Sequence, residues 1–531
     1  MSRPNILLIT TDQQRFDTVC AAGYPHMITP NLDRLAAEGC LFTNAYSPNP
    51  VCMPARHNII TGLGCRHHTF DDNYFDDSHT LPYELPTFAQ CLSDAGYDTK
   101  AIGKMHFQPC RRHNGFCSME LMEEIPRYRE EDAYAMYLKE QGYGQLQSLH
   151  GVRHMLYMQP QQSLVDEAHH GSAWVADRTI RYLRERSKGR PFMLWAGFIA
   201  PHPPFDVPQS FADLYRDRAL PEPLVSKTPI SALAEENKNI ADYPNEQTLR
   251  RARELYFSAI SFVDKQVGRI LDALEETGEA ENTLVVFTSD HGEMLGDFGT
   301  YQKFLPYDGS ARIPMLVRYP GRVEPGSRRE EFVDLNDLFP TFVDVAGLEM
   351  PGHIDYPGAS LFSDQKDRSV QYIEHQHGAR RWISLQNHAY KYNYYYGGGK
   401  EELFDRVADP QETENLVLTR PEFAREAMRE LKERAVEMEA RYGLEGCVRD
   451  GRFVSYPEFD LVFYRECNPP MFPARLADER EREGFLPLEK ELELAIEREP
   501  VVDLDLLDQS YFAGTLDMEE IRRIQKKRRS E

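Results

Sequence analysis

Short apolar runs alternate with amphipathic stretches along most of the chain, and this alternation is the main indication of its fold. The clearest apolar runs, which predict buried β-strands, cover residues 5–10, 100–103, 192–200, 284–288 and 315–319. Apolar residues at helical spacing predict helices over residues 31–38, 87–95, 173–186, 249–276 and 335–346. Strands that alternate with helices are typical of α/β domains, so we expect a large, mostly parallel or mixed central sheet flanked by helices.

The pattern changes near residue 369. Short strands are predicted at 370–374, 382–385 and 390–396, after which residues 402–405 lead into Pro410 and a helical pattern at 422–442. This pattern predicts a small antiparallel sheet with one covering helix. The predicted division of the chain is a main α/β domain, an antiparallel-sheet subdomain and a charged helical extension, at residues 1–368, 369–445 and 446–531. The extension ends in a basic run, Lys526 to Arg529, and we expect it to be solvated or to pack against another subunit in a homo-oligomer.

Polar side chains follow four of the predicted strands, at the point where each strand ends. They are Asp12, Lys104, His202 and the pair Asp290-His291. Ligands of open parallel sheets bind beyond the carboxyl ends of the strands, so these side chains are expected to converge on one crevice.

Composition narrows the classes of partner and compartment. The 531 residues include 41% hydrophobic positions, enough for a sizeable core, and the net charge of −24 argues against nucleic-acid and anionic-membrane surfaces. No apolar run reaches the roughly 18 residues of a membrane helix. Nine cysteines without regular spacing fit a reducing compartment, so a cytoplasmic location is expected.

The segment around Cys52 combines features of a reactive helix end. Pro54 suits the first turn of a helix, which would place Cys52 at a helix N-terminus with free backbone N–H groups. Arg56 lies four residues later, on the same helical face. A buried structural cysteine is the other interpretation of these residues alone.

This segment resembles the maturation signal of the sulfatase family, which belongs to the alkaline-phosphatase-like superfamily. The family's Cys-x-Pro-x-Arg signal with a following Thr-Gly matches at Cys52, Pro54, Arg56, Thr61 and Gly62. Ala55 stands where many members have Ser. The resemblance implies an alkaline-phosphatase-like fold and oxidation of Cys52 to formylglycine by a maturation enzyme.

A second group of residues resembles the family's metal site. Oxygen ligands with one imidazole suit a hard divalent cation. The resemblance implies that Asp12, Gln13, Asp290 and His291 bind the metal together with residue 52, with Ca²⁺ as the expected ion and Mn²⁺ as the alternative. Gln13 stands where many members have a second Asp, so this site has one negative charge less.

A third group resembles the family's substrate and proton-transfer residues. Lys104 and Lys303 are implied to contact the sulfate group together with Arg56, while His106 contacts the formylglycine hydroxyls. His202 is implied to lie near the leaving-group oxygen as the proton donor, with His106 as the base of the second step. The acidic stretch 71–77 contains Asn73, which stands where related hydrolases have an Asn in the substrate pocket.

The implied activity is hydrolysis of a sulfate monoester, with a small sulfated sugar or an aryl or alkyl sulfate as the expected substrate. The nearest alternative is a phosphonate monoester or phosphodiester hydrolase of the same superfamily, which Gln13, Asn73 and the segment 151–158 resemble. Lys104 and His106 argue against it, because a second cation suits a sulfate with three free oxygens. A degenerate protein that only binds sulfated ligands is the third hypothesis.

Overall fold

The computed structural model describes residues 3–126, 128–238, 245–352, 354–363, 368–461 and 484–499. An eight-stranded sheet forms its centre, and the described chain also forms smaller sheets of four, two and two strands. The strands are β1 (Asn5–Asp12), β2 (Cys40–Tyr46), β3 (Asp98–Gly103), β4 (Ser118–Leu121), β5 (Gln161–Gln162), β6 (Phe192–Pro201), β7 (Asp206–Val207), β8 (Thr283–Ser289), β9 (Met315–Arg318), β10 (Ser327–Asp334), β11 (Gln371–His375), β12 (Trp382–Gln386), β13 (Tyr390–Tyr395), β14 (Lys400–Asp405), β15 (Val448–Arg449) and β16 (Arg452–Phe453). The main sheet has the order β10-β2-β9-β8-β1-β6-β3-β4. β9 runs antiparallel to both neighbours, and the other pairs are parallel.

Some helices cover the two faces of the main sheet, and the others lie elsewhere in the described chain. The helices are α1 (Pro30–Glu38), α2 (Cys52–Thr61), α3 (Cys65–His68), α4 (Phe88–Asp94), α5 (Ala133–Leu138), α6 (Arg153–Leu156), α7 (Gly171–Glu185), α8 (Ala232–Asn237), α9 (Glu246–Glu276), α10 (Asp308–Ala311), α11 (Leu338–Val345), α12 (Leu416–Thr419), α13 (Pro421–Ala427), α14 (Arg429–Tyr442) and α15 (Leu488–Arg498). Helices α1, α7 and α9 pack on one face, and α2, α4 and α11 pack on the other.

The central strand β1 explains why its sequence is apolar without alternation. Leu7 and Ile9 join the core under α7 and α9, whereas Ile6 and Leu8 join the core under α2 and α11. A strand that is covered on both faces needs apolar residues at every position. The predicted α/β fold class, with a mixed central sheet flanked by helices, is therefore confirmed.

The small C-terminal sheet is antiparallel in the order β11-β12-β13-β14, as predicted. Leu431 and Ala435 of α14 pack against Ile383 and Leu385 of β12. The helix predicted over 422–442 is divided into α13 and α14, with Met428 between them.

Helix α15 lies in the predicted charged extension, but it packs on its own chain. Leu492, Ala495 and Ile496 are buried in the same core cluster as α7 and α9. Glu499 is buried beside them and accepts hydrogen bonds from the guanidinium of Arg251 at 2.8 and 3.0 Å. The basic run at 526–529 lies outside the described residues, and the three-part division of the chain stays a prediction.

Within the described ranges, no helix is both long enough and apolar enough to span a bilayer. The eight cysteines within those ranges are free thiols.

The end of β3 contains a close backbone approach that can be tested. Gly103 has φ +93°, and a Cβ at this position would lie 1.9 Å from the Gly197 carbonyl oxygen of β6. Gly96 has a similar φ of +91°, but a Cβ there would meet nothing within 4 Å. Gly103→Ala is expected to lower the free energy of unfolding by about 3 kcal/mol or more, because steric conflict adds to the strain of a positive φ.

Gly96→Ala is the matched control and should cost only about 1 kcal/mol. Urea-induced unfolding of the two variants measures the difference. Equal losses would show that the β3–β6 approach imposes no constraint of its own.

Candidate active site

The candidate site lies at the carboxyl ends of four neighbouring parallel strands, β8, β1, β6 and β3. Asp290 directly follows β8, Asp12 ends β1, His202 directly follows β6 and Lys104 directly follows β3. The convergence predicted from the sequence thus follows from strand order, because parallel neighbours end at the same edge of the sheet.

Cys52 is the first residue of α2 and faces this edge. Its Sγ lies 3.1 Å from His291 Nε2, 3.2 Å from Lys303 Nζ and 3.8 Å from Asp12 Oδ1. The side chain is only 1% exposed. Burial, assisted by the charge of Asp12, raises the pKa of the Cys52 thiol to about 12, so the unmodified thiol is neutral at physiological pH.

Arg56 joins the two carboxylates of the site from one side. Its Nε donates to Asp290 Oδ2 at 2.9 Å, and its Nη2 donates to Asp12 Oδ2 at 3.2 Å. Nη1 donates to the Lys104 carbonyl oxygen at 2.6 Å. The guanidinium therefore binds the Oδ2 atoms of both carboxylates.

His291 points its unprotonated nitrogen at the Oδ1 atoms of the two carboxylates. Nδ1 lies 3.0 Å from the Gly292 carbonyl oxygen and donates to it, which leaves Nε2 as an acceptor. Nε2 lies 3.7 Å from Asp12 Oδ1 and 3.7 Å from Asp290 Oδ1. Burial, with the charge of Lys303, lowers the pKa of His291 well below its usual value, which keeps the ring neutral.

These residues fit a divalent cation. One ligand atom each from Asp12, Cys52, Asp290 and His291 lies within 4.8 Å of all the others, and all four residues are buried. Burial and the neighbouring Asp12 charge raise the pKa of Asp290 to about 7, which marks an excess of negative charge that a cation would relieve. Carboxylate oxygens with one neutral imidazole suit Ca²⁺ or Mn²⁺.

Gln13 borders this group in a strained backbone conformation. Its φ is +68°, in the left-handed region that non-glycine residues rarely adopt. Its Oε1 accepts a hydrogen bond from Lys303 Nζ at 2.8 Å, and its Nε2 donates to Glu293. The amide oxygen is thus the end of the side chain that faces the site.

Lys104 is paired with carboxylates on two sides. Its Nζ lies 2.6 Å from Asp12 Oδ2 and 2.6 Å from Glu124 Oε2. Burial alone would lower the pKa of Lys104, but these two carboxylates raise it above the usual lysine value. The ammonium group is therefore charged and lies beside the cation ligands.

Lys303 and His202 form a pair next to Cys52. Lys303 Nζ lies 2.9 Å from His202 Nε2, while His202 Nδ1 lies 2.7 Å from the Pro203 carbonyl oxygen. Nδ1 must donate to that carbonyl, so Nε2 accepts from the ammonium and the ring is neutral. Burial lowers the pKa of His202 well below its usual value, in agreement with this tautomer.

His106 and Asn73 are the remaining residues of the predicted site. The His106 amide donates to Glu123 Oε1 at 3.0 Å, and in the described part of the chain its buried Nδ1 has no hydrogen-bond partner. Asn73 Oδ1 accepts from the Met53 amide at 3.0 Å, so this side chain binds the first turn of α2 beside Cys52.

The structure adds two buried glutamates that the sequence interpretation missed. Glu124 binds Lys104 and Arg153, and its Oε1 lies 3.6 Å from His202 Nδ1. The sequence around Glu124 did not indicate a site residue, because Glu124 follows the edge strand β4, which the apolar runs did not predict. Glu293 could have been noticed, since it ends the Asp-His-Gly-Glu sequence that begins at Asp290.

Comparisons with known proteins agree with this geometry. The family model described as sulfatase matches residues 4–348, and the model for the C-terminal region of N-sulphoglucosamine sulphohydrolase matches residues 296–441. The chain is 34% identical over 440 residues to an arylsulfatase of Clostridium perfringens, covering 78% of this chain and 90% of that protein. It is 30% identical to a choline-sulfatase of Rhizobium meliloti, covering 78% and 82% of the two chains.

Among solved structures, a phosphonate monoester hydrolase of Agrobacterium radiobacter has the same fold, with a TM-score of 0.70 and 24% identity. The likeness covers 83% of this chain and 96% of that one.

The position of Glu124 predicts a large stability effect. Glu124→Gln leaves the buried Lys104 and Arg153 with too little negative charge and is expected to cost about 3–5 kcal/mol. Burial would raise the pKa of Glu124, but the charges of Lys104 and Arg153 hold it well below the usual value. The stabilisation is therefore present at neutral pH and disappears as the pH falls through that low pKa.

Glu120→Gln serves as the control, because Glu120 pairs with Lys100 and Arg178 while its side chain is 25% exposed. Removing this pair should cost less than about 1 kcal/mol. Thermal unfolding at pH 7 compares the two variants, and similar losses would contradict the assigned role of Glu124.

Proposed function

The chain belongs to the sulfatase family and is a sulfuric ester hydrolase, and we propose that it cleaves sulfate monoesters with a nucleophile made from Cys52 by oxidation to formylglycine. The family match confirms the resemblance inferred from the Cys52 segment. The observation that carries the proposal is the placement of Cys52 at the start of α2, in contact with His291 and Lys303.

The proposed oxidation answers a chemical shortcoming of the unmodified residue. A buried thiol whose pKa is about 12 is a poor nucleophile at neutral pH. The hydrate of a formylglycine aldehyde supplies one hydroxyl that would attack sulfur. Loss of the proton of the second hydroxyl would then restore the aldehyde and expel the sulfate from the first. A maturation enzyme is the partner that this proposal requires.

Asp12, Gln13, Asp290 and His291 would hold the cation together with residue 52, with Ca²⁺ as the proposed ion and Mn²⁺ as the alternative. The bound cation would withdraw charge from the sulfate and from the attacking hydroxyl. Asp290 is assigned to accept the proton of that hydroxyl, because its carboxylate is grouped with Cys52 and the other cation ligands.

Charge on the sulfate oxygens would be neutralised by Lys104, Lys303 and Arg56, the three cationic side chains around Cys52. Electrostatic stabilisation of this kind is usually the largest contribution to such a reaction. Preorganisation supports the assignment, because all three side chains are already fixed by hydrogen bonds or ion pairs.

Proton transfer to the leaving alcohol is assigned to the pair of Lys303 and His202. The two side chains share one hydrogen bond next to Cys52 in which Lys303 Nζ carries the proton, so Lys303 would give this proton to the leaving oxygen while the neutral His202 ring orients the ammonium. His106 is proposed as the base of the second step, because burial and the charge of Lys104 lower its pKa and leave the ring neutral.

The proposed substrate is a small sulfated sugar or an aryl or alkyl sulfate. The deep burial of the reactive side chains favours a small ester over a long polymer. Phe75 is 68% exposed and its ring lies 6.1 Å from that of His106, which offers an apolar surface to the leaving group. A cytoplasmic location and self-association stay predictions.

The phosphonate hydrolase alternative is not favoured by a specific contact. Two lysines next to Cys52 and the cation ligands suit a sulfate monoester better than a diester. A degenerate binding protein would have no need to retain both the Cys52 segment and the adjacent cation ligands.

Paired substrates test the proposal. Protein co-expressed with a formylglycine-generating enzyme should hydrolyse 4-nitrophenyl sulfate with a much higher kcat/KM than 4-nitrophenyl phenylphosphonate. Mass spectrometry of the Cys52 peptide should show an aldehyde in place of the thiol, and Cys52→Ala should abolish turnover. A preference for the phosphonate would support the alternative hydrolase.

A second prediction concerns the proton donor. His202→Ala is expected to reduce kcat/KM on an alkyl sulfate by about 10²–10⁴-fold, and to reduce it much less on 4-nitrophenyl sulfate, whose leaving group needs no proton. His169→Ala is the control, since the His169 ring contacts Tyr137 and Tyr143. Equal losses on both esters would contradict a role in protonating the leaving group.

A further inference from the structure

We propose that Glu293 is a positioning residue that fixes which end of the Gln13 amide faces the bound cation. The inference rests on the cation site of the proposed function and concerns the position at which this chain departs from the family pattern. At that position the neutral Gln13 side chain would bind the cation, where many family members have a carboxylate.

The two ends of a primary amide have nearly the same shape, so only the neighbouring groups decide its orientation. On one side of Gln13, Lys303 Nζ can only donate, and it lies 2.8 Å from Oε1. On the other side, the Glu293 carboxylate accepts from Nε2. A rotated amide would place its NH₂ group against an ammonium and its oxygen against a carboxylate, so one orientation is selected.

The backbone polar groups of Gln13 both have partners, so only its side-chain amide can change orientation. Its N–H donates to Asp290 Oδ1 at 3.1 Å, and its carbonyl oxygen accepts from Tyr256 Oη at 2.7 Å. Both polar backbone groups are thus occupied. Rotation about the last side-chain torsion would exchange the oxygen for the NH₂ group without moving the chain.

Glu293 is itself held in place. It is fully buried, and its Oε1 accepts from the backbone amides of Leu295 and Gln302, while Oε2 accepts from Gln13. Two backbone donors therefore require an acceptor at the Oε1 position. The loop that carries Lys303 and the turn after β8 are fixed by the same carboxylate.

These contacts predict what an amide at position 293 would do. Its oxygen must stay with the two backbone N–H groups, so its NH₂ group would face Gln13. Gln13 would then have a donor on both sides, Lys303 Nζ and the new NH₂ group, so the orientation that presents its oxygen to the cation would no longer be selected. Because an NH₂ group cannot bind a cation, Glu293→Gln should weaken Ca²⁺ and Mn²⁺ binding about 10-fold or more.

The experiment is isothermal titration calorimetry of CaCl₂ and MnCl₂ into matured, metal-depleted protein. Wild type, Glu293→Gln and the double variant Gln13→Glu/Glu293→Gln are compared. In the double variant a carboxylate at position 13 can accept from the new NH₂ group and still offer an oxygen to the cation. Its affinity should return at least to the wild-type value.

Glu402→Gln is the matched control, because Glu402 is a buried carboxylate with three side-chain donors in the C-terminal subdomain. Its cation affinity should equal that of wild type. Circular dichroism of the metal-free proteins on heating should show that Glu293→Gln remains folded at the titration temperature.

Wild-type affinity in Glu293→Gln would overturn the inference and leave the proposed function intact. Failure of the double variant to recover would also overturn it, since a general packing defect predicts that result. If wild type binds neither ion, the cation site of the proposed function fails and the inference fails with it.

Discussion

Two carboxylates, Asp12 and Asp290, are buried side by side, and the arrangement of the site depends on how their repulsion is compensated. Arg56 binds the Oδ2 atom of each, and the two Oδ1 atoms lie 3.7 Å from His291 Nε2. Since Arg56 and Cys52 are one turn apart on α2, the same helix compensates the carboxylates and presents the reactive residue to them. The distance between Cys52 and the two carboxylates is therefore set within one turn of helix.

Charges of opposite sign alternate outward from this pair. Lys104 lies next to Asp12, Lys303 lies next to Cys52, and Glu124 lies behind Lys104. Gln13 connects Lys303 to Glu293, so this side of the site also ends in a buried carboxylate. The side chains of Arg56, Lys104, Lys303 and Gln13 thus have their orientation fixed before a substrate arrives. Such an arrangement stabilises a developing charge without reorganisation during the reaction.

The sequence predicts the parts of this molecule whose environment is uniform along an element. β1, β6 and β8 are covered on both faces, so their runs are continuously apolar, and the polar residues after them stand out. In β10 (Ser327–Asp334), partly buried and exposed residues alternate over the first five positions. This strand therefore has no continuous apolar run that would predict it. Glu124 and Glu293 could not be assigned roles, because their partners are close in space but not marked by spacing along the chain. The packing of α15 on α7 and α9 is likewise a tertiary contact that local patterns do not encode.

The depth of Cys52 sets an order of events during biosynthesis. Its side chain is covered by His291 and Lys303, which are more than two hundred positions further along the chain. If Cys52 is oxidised as proposed, the oxidising enzyme needs access to it before those later segments have folded over α2. Folding and the proposed maturation would then compete for the same residue, and their relative rates would decide the yield of active protein.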